Sequence, residues 1–273
     1  MPLAPNGMYY SEGYLFYGYP SCGKSSCIMQ WAEMHPDVTV FVLDGDNKFK
    51  RVWLADYEHV TNIDYHTVED WPSLVREFEK IKKTLLAMPM AKRERQCIAL
   101  EMVDKYWTWA QDHYAEEIMN MTRSQYLMKL RSDNPDKTGL SDSDSQNMWR
   151  IVKGHHNTDF IDFITDRLRC NLIVTSPAMP VSTIVSKGKP QESNEVLDLY
   201  APIGHKAEGE KRNGYRVDTV IFLEYDYKTK KRYWTTVKEK SKPGAIKPMP
   251  QAWRREFTGN FFLDYSEFTG GAI

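Results

Sequence analysis

The chain is expected to fold as an α/β protein: a mostly parallel sheet with helices on both faces, and an antiparallel hairpin toward its C-terminal end. Three observations carry this expectation. Apolar, strand-like runs alternate with stretches of helical periodicity through the first two thirds. The segment Gly18-Tyr19-Pro20-Ser21-Cys22-Gly23-Lys24-Ser25 has the composition of a sharp turn joining a strand to a helix. The last third changes to period-two alternation around a polar turn.

Taken in order, Tyr14-Leu15-Phe16-Tyr17 reads as a buried strand, and the helix after the turn runs through Ser26, Cys27, Ile28, Met29 and Trp31. Val38 to Leu43 is a β-branched, apolar run ended by Asp44-Gly45-Asp46, as buried parallel strands often stop. Ile63 to His66 is a further strand. Thr67 and Asp70 offer helix starts, and Trp71, Leu74, Val75, Phe78, Ile81 and Leu85 fall at helical spacing up to the break at Pro89. Cys97 to Leu100 is strand, Tyr106 to Leu130 mostly helix, and 131–146 a polar segment expected to be a mobile loop. Trp149, Val152, Phe160, Phe163, Ile164 and Leu168 mark another helix, followed by the strand Asn171 to Val174. A second polar loop is expected at 182–194. Val217 to Tyr225 and Arg232 to Lys238 form a hairpin about Asp226–Lys231.

At 273 residues, with 41% hydrophobic content, the chain can bury one large α/β core. One domain over 1–250 is expected, with 251–273 as a tail that docks on a neighbouring subunit or on its own core. Lys plus Arg (36) and Asp plus Glu (37) nearly cancel, so any nucleic-acid contact must come from a local basic surface. Cys22, Cys27, Cys97 and Cys170 show no C-x-x-C pairing and read as reduced core residues. No apolar stretch reaches the length of a membrane span, and Met1 to Asn6 lacks the charged start and apolar centre of a secretion signal. A cytoplasmic location, with no membrane partner, is the expectation.

The glycine-lysine segment carries the chemistry. A strand that turns abruptly into a helix around a phosphate presents successive main-chain N–H groups and the positive helix end to the anion. Gly18 and Gly23 permit the turn, with Tyr19, Pro20, Ser21 and Cys22 between them and Ser26 beyond. Lys24 reaches the β- and γ-phosphates as a point charge, and the Ser25 hydroxyl is placed to ligate Mg²⁺. ATP with Mg²⁺ is thus the expected cofactor. Hydrolysis also needs a carboxylate that orients the metal. Glu101, directly after the strand Cys97–Leu100, is the first candidate and Asp104 the second.

In this order of parts the chain resembles the RecA-type core ATPases, most closely the short phage-encoded RecA-like ATPases of single-strand annealing and recombination. The resemblance spans roughly residues 8 to 245. It implies a RecA-like P-loop core in which the carboxylate ending Phe41-Val42-Leu43-Asp44-Gly45-Asp46 activates water, nominating Asp46, an Asp where bacterial RecA has Glu. It implies a γ-phosphate sensor at Thr175 or Ser176, where the family's Gln is absent. Val237-Lys238-Glu239-Lys240 is similar to the strand end that offers two lysines to a neighbouring subunit's nucleotide, so Lys238 and Lys240 are candidate trans-acting cations. It also implies that the loop 182–194, with Lys187 and Lys189, faces DNA. The implied partners are further copies of the chain, in a ring or filament, single-stranded DNA, and a single-strand-binding or other replication or recombination protein. Two other functions use the same loop: a nucleotide or small-molecule kinase, and a DNA packaging or remodelling motor. An arginine-bearing lid would mark the kinase, and 182–194 contains no arginine.

Overall fold

The structure, a computed structural model, describes residues 11–133, 149–182, 185–186, 189–190, 192–240, 249–257 and 259–269. Most of the polar segment 131–146 therefore lies outside the described residues, as does Lys187. Strands β1 (Gly13–Gly18), β2 (Val40–Asp44), β3 (Ile63–Thr67), β4 (Cys97–Glu101), β5 (Asn171–Pro180), β9 (Thr219–Asp226), β10 (Lys231–Glu239) and β11 (Arg254–Glu256) form one sheet in the order β11-β10-β9-β1-β5-β4-β2-β3. From β9 to β3 all pairings are parallel, while β10 runs antiparallel to both β9 and β11. The short β8 (His205–Ala207) adds to the far end of β5. Within 182–194, expected as a mobile loop, β6 (Val185–Ser186) and β7 (Lys189–Pro190) pair as a small antiparallel ribbon.

Helices cover both faces because side chains alternate along each buried strand; the shorter α2 (Phe49–Asp56) follows β2 and α4 (Met90–Arg93) precedes β4. On one face Leu15, Tyr17, Phe41, Leu43, Ile98, Leu100, Leu172 and Val174 pack under α3 (Trp71–Leu86) and α5 (Val103–Met119). Tyr14, Phe16, Val40, Val42, Cys97, Ala99 and Ile173 face the other way, toward α1 (Lys24–Met34) and the C-terminal helix Phe261–Thr269. Within that helix Phe261, Phe262 and Tyr265 are buried, and their rings meet Tyr14 and Phe16 edge-on. Gln30 of α1 secures the approach to it. Its side-chain amide donates to the Gly259 carbonyl (2.7 Å), and its side-chain carbonyl accepts from the Phe261 N–H (3.1 Å).

Helix α3 starts at Asp70, not Thr67. The Asp70 carboxylate accepts from the Ser73 N–H (2.8 Å) while the Ser73 hydroxyl accepts from the Asp70 N–H (3.1 Å), a reciprocal cap. Val75, expected on its core face, is exposed, because the buried stripe follows Trp71, Leu74, Phe78, Ile81 and Leu85. The helix expected from Tyr106 to Leu130 is broken. Asn120 takes the left-handed conformation (φ 51) that ends α5, and α6 (Arg123–Asp133) follows. From Gly154 to Leu168 the chain coils in wide π-helical turns. The aromatic group on α5 is occupied with packing: Tyr106 lies on Trp109, Trp107 on Trp149, and Tyr114 on His155.

The C-terminal helix gives the sheet much of its apolar cover on the β1 side, so Phe261→Ala should lower stability by about 3–5 kcal/mol through cavity formation. Urea denaturation is the measurement, and a loss under 1 kcal/mol would place Phe261 outside the core.

Candidate functional site

Parallel strands bring their C-terminal ends to one edge of the sheet, where open α/β folds place their ligands. At that edge β1 ends at Gly18 and α1 begins at Lys24. Gly18 is required by closeness. A Cβ there would sit 2.2 Å from the Leu223 carbonyl oxygen and 2.7 Å from the Cys22 sulfur. Gly23, with φ of 104°, takes a backbone conformation that costs glycine little and precedes α1 without any side-chain cap. The first turn of α1 holds no acidic residue, so its N–H groups and helix dipole present an unneutralised positive end. The Lys24 ammonium folds back onto the loop, donating to the carbonyls of Gly18 (2.9 Å) and Tyr19 (3.1 Å).

Beside this turn, three predicted residues meet. Glu101 ends β4 and Thr175 lies midway along β5, both on the α1 face and one step beyond the paired Leu100 and Val174. The Ser25 hydroxyl donates to one Glu101 carboxylate oxygen (2.5 Å) and the Thr175 hydroxyl donates to the other (2.8 Å). Thr175 is fixed in turn by accepting from the Met102 N–H (2.9 Å). Glu101 is 3% exposed. Burial pushes its carboxyl up to about 7, against the pull of the Ser25 and Thr175 hydroxyls, and the charges of Asp44 and Asp46 push in the same direction as burial.

Asp104, the second metal-orienting candidate, stands in the first turn of α5. Burial, helped by Glu208, raises its carboxyl to about 6. Among the described residues it is the Glu101 carboxylate, not that of Asp104, that meets Ser25. Ser176 points to the opposite face from Thr175, and its hydroxyl donates to the Glu208 carbonyl (2.8 Å). Asp46 lies in the loop after β2, its side chain 9% exposed and 3.3 Å from the Lys48 ammonium. That loop is shaped by Asp44, a residue that sequence reasoning treated only as part of the motif. Its buried carboxylate accepts from the N–H groups of Asp46, Asn47 and Phe49 and from the Tyr65 hydroxyl.

The two lysines of β10 lie elsewhere. Gly18 is level with Leu223 and Leu223 with Trp234, so Lys238 stands four residues further along β10, about 13 Å from the turn in the strand direction. Its ammonium caps the Asn213–Arg216 helix, donating to the carbonyls of Gly214 (2.9 Å), Tyr215 (3.3 Å) and Val217 (2.6 Å). Burial, helped by Lys240, lowers it to about 8. Lys240 is exposed, 3.5 Å from Asp218. Neither lysine belongs to this chain's own loop edge, and any role at a nucleotide must be played toward another copy. Lys189 is on β7. A cation that sequence reasoning missed, Arg232, starts the loop end of β10 and lies against Gly23. Only knowledge that β9 pairs with β1 could have placed it there.

No protein-family model matches the sequence, and no curated protein matches it. The architecture is the RecA-like one. The chain is similar to the solved structure of the RadB recombinase, with a TM-score of 0.50 and 13% identity over 92% of this chain and 89% of that one. An ATPase from the type III secretion system of pathogenic bacteria also matches, with a TM-score of 0.38 and 11% identity over 79% of this chain and 52% of that one. Among the described residues no helix is long and apolar enough to cross a membrane.

The Glu101 carboxyl has a pH consequence. An unfolded chain releases this proton near pH 4.5, whereas the folded chain holds it to about pH 7. The stability linked to this group is therefore greatest below pH 4.5 and is lost as the pH rises through 7. Glu101→Gln should stabilise the nucleotide-free protein at pH 8 by up to about 3 kcal/mol, and far less at pH 5. Urea denaturation at both pH values measures this. Equal effects at the two would show that Glu101 ionises normally.

Proposed function

We propose that the chain is an ATPase of the RecA-like class that acts on single-stranded DNA in recombination or annealing, with the triphosphate held by Gly18–Ser25. The observation that carries this reading is the junction of Ser25, Glu101 and Thr175 beside the turn. A hydroxyl backed by a carboxylate is an oxygen donor set suited to Mg²⁺, a cation that keeps several of its waters. Ser25 would ligate the metal directly and Glu101 through water, and the bound metal would neutralise charge on the β- and γ-phosphates. Glu101 must give up its proton to do this, which ties metal binding to pH.

Lys24 leaves the loop carbonyls to reach the β- and γ-phosphates. Asp46, on a loop braced by Asp44, accepts the proton of the attacking water or orients it. Thr175 holds Glu101 and reports the γ-phosphate through that contact. Self-assembly fits the lysine positions, since Lys240 faces solvent away from its own site. Lys238 would first have to leave its three carbonyls. The name of the RadB recombinase supports recombination as the setting, and the four buried free cysteines suit a reducing, cytoplasmic one. A phage-type role, DNA contact through Lys187 and Lys189, and a 1–250 core with a 251–273 docking tail belong to the same reading.

Lys24→Ala should abolish ATP binding and turnover, while Asp46→Asn should keep binding and lower kcat at least 100-fold in a phosphate-release assay. Single-stranded DNA should raise wild-type turnover several-fold, less at high salt; turnover indifferent to DNA at every salt concentration removes the recombination reading. Composite sites predict that Lys240→Ala and Asp46→Ala subunits, each inactive alone, recover part of the activity when mixed. Two inactive proteins that never complement leave each site within one chain.

A further inference from the structure

We infer that Arg232 is a second phosphate-binding cation supplied by this same chain, gripping the α- and β-phosphates of the nucleotide held by Gly18–Ser25. The inference rests on the nucleotide-binding reading above and adds a residue to that site.

Arg232 is the second residue of β10 and stands opposite Tyr225, two residues beyond the Leu223 whose carbonyl abuts Gly18. Its Cδ lies 3.8 Å from where a Cβ on Gly23 would be. Its charge also reaches the start of α1. Burial drives the Cys27 thiol far up, and Lys24 and Arg232 are the two cations that pull it back. The neighbouring cations on this edge are neutralised: Lys231 pairs with Glu256 (2.8 Å) and Arg254 with Glu224 (2.9 Å). Arg232 meets no carboxylate at ion-pair distance among the described residues, and its guanidinium lies 5.8 Å from the Tyr225 ring. Its main chain is held on the sheet by the Phe257 N–H, which donates to the Arg232 carbonyl (2.8 Å).

A planar fork of donors without a counter-charge, carried on a paired strand beside a phosphate turn, is suited to bidentate binding of phosphate oxygens. The position selects which phosphates. Main-chain amides of such a turn cradle the α- and β-phosphates while its lysine reaches the β- and γ-phosphates, and Arg232 adjoins Gly23, at the amide end. The contact is the same in ATP and ADP, so it serves binding more than the chemical step.

Calorimetric titration with ATP and with ADP tests this on the full chain. Arg232→Ala should weaken both about tenfold or more, with the difference shrinking at high salt, and leave kcat within about threefold. Arg232→Lys should fall between, and Lys231→Ala should bind like wild type. If Arg232→Ala binds ADP like wild type while Lys24→Ala does not bind, the inference fails and the nucleotide site stands. Unchanged ADP affinity with a collapsed kcat would assign Arg232 to the γ-phosphate and also overturn it. Wild-type protein that binds neither nucleotide removes the inference and the functional reading together.

Discussion

The Glu101 carboxylate joins three separate pieces of chain. Through Ser25 it holds the start of α1, through Thr175 the middle of β5, and through its own backbone the end of β4. Burial makes the ionised form of that carboxyl unfavourable, and two hydroxyl donors partly compensate. The arrangement is therefore least comfortable in the ionised state that the proposed metal binding would require. Such tension is common where a fold spends stability on a site, because a fully satisfied carboxylate has little reason to exchange partners. The neighbouring Asp44 shows the contrasting case, with backbone and tyrosine donors filling its oxygens so that it shapes a loop.

Much of the fold was legible because it rests on local rules. Apolar strand runs at residues 14–17, 97–100 and 171–174, the spaced face of α3 and the polar turn of the β9–β10 hairpin each signal their own element. The misses are tertiary in origin. Asn120 ends α5 through a backbone conformation that no periodicity announces, and Val75 satisfies helical spacing while facing water. For the site, the glycine-lysine turn and the strand-end position of Glu101 could be read, since a strand end in a parallel sheet lies at the ligand edge, whereas the strand expected to stop at Val174, before Thr175, runs on to Pro180. The partners of Lys238 could not, because its three carbonyls come from a short helix and the residue after it, over twenty residues earlier in the chain. Arg232 was hidden for a similar reason: strand order decides what adjoins Gly23, and one sequence does not reveal strand order.

Charge is distributed unevenly over the molecule despite near-neutrality overall. Carboxylates gather at the ends of β2 and β4, and cations frame the turn at Lys24 and Arg232. A phosphate tail with its metal would lie between fields of opposite sign, which orients it before any contact closes.

A strand in the middle of the sheet is also the first in sequence among the described residues. Strand β1 pairs on one side with β5 and on the other with β9, more than 150 and 200 residues later in the chain, and its outer face is roofed by Phe261 and Phe262. Contacts between residues so far apart in sequence form slowly, because the entropy of closing long loops must be overcome before the pairing is rewarded. The edge at which β1 ends is therefore complete only when segments from both halves of the chain have paired, so residues 13–25 cannot build it by local folding alone.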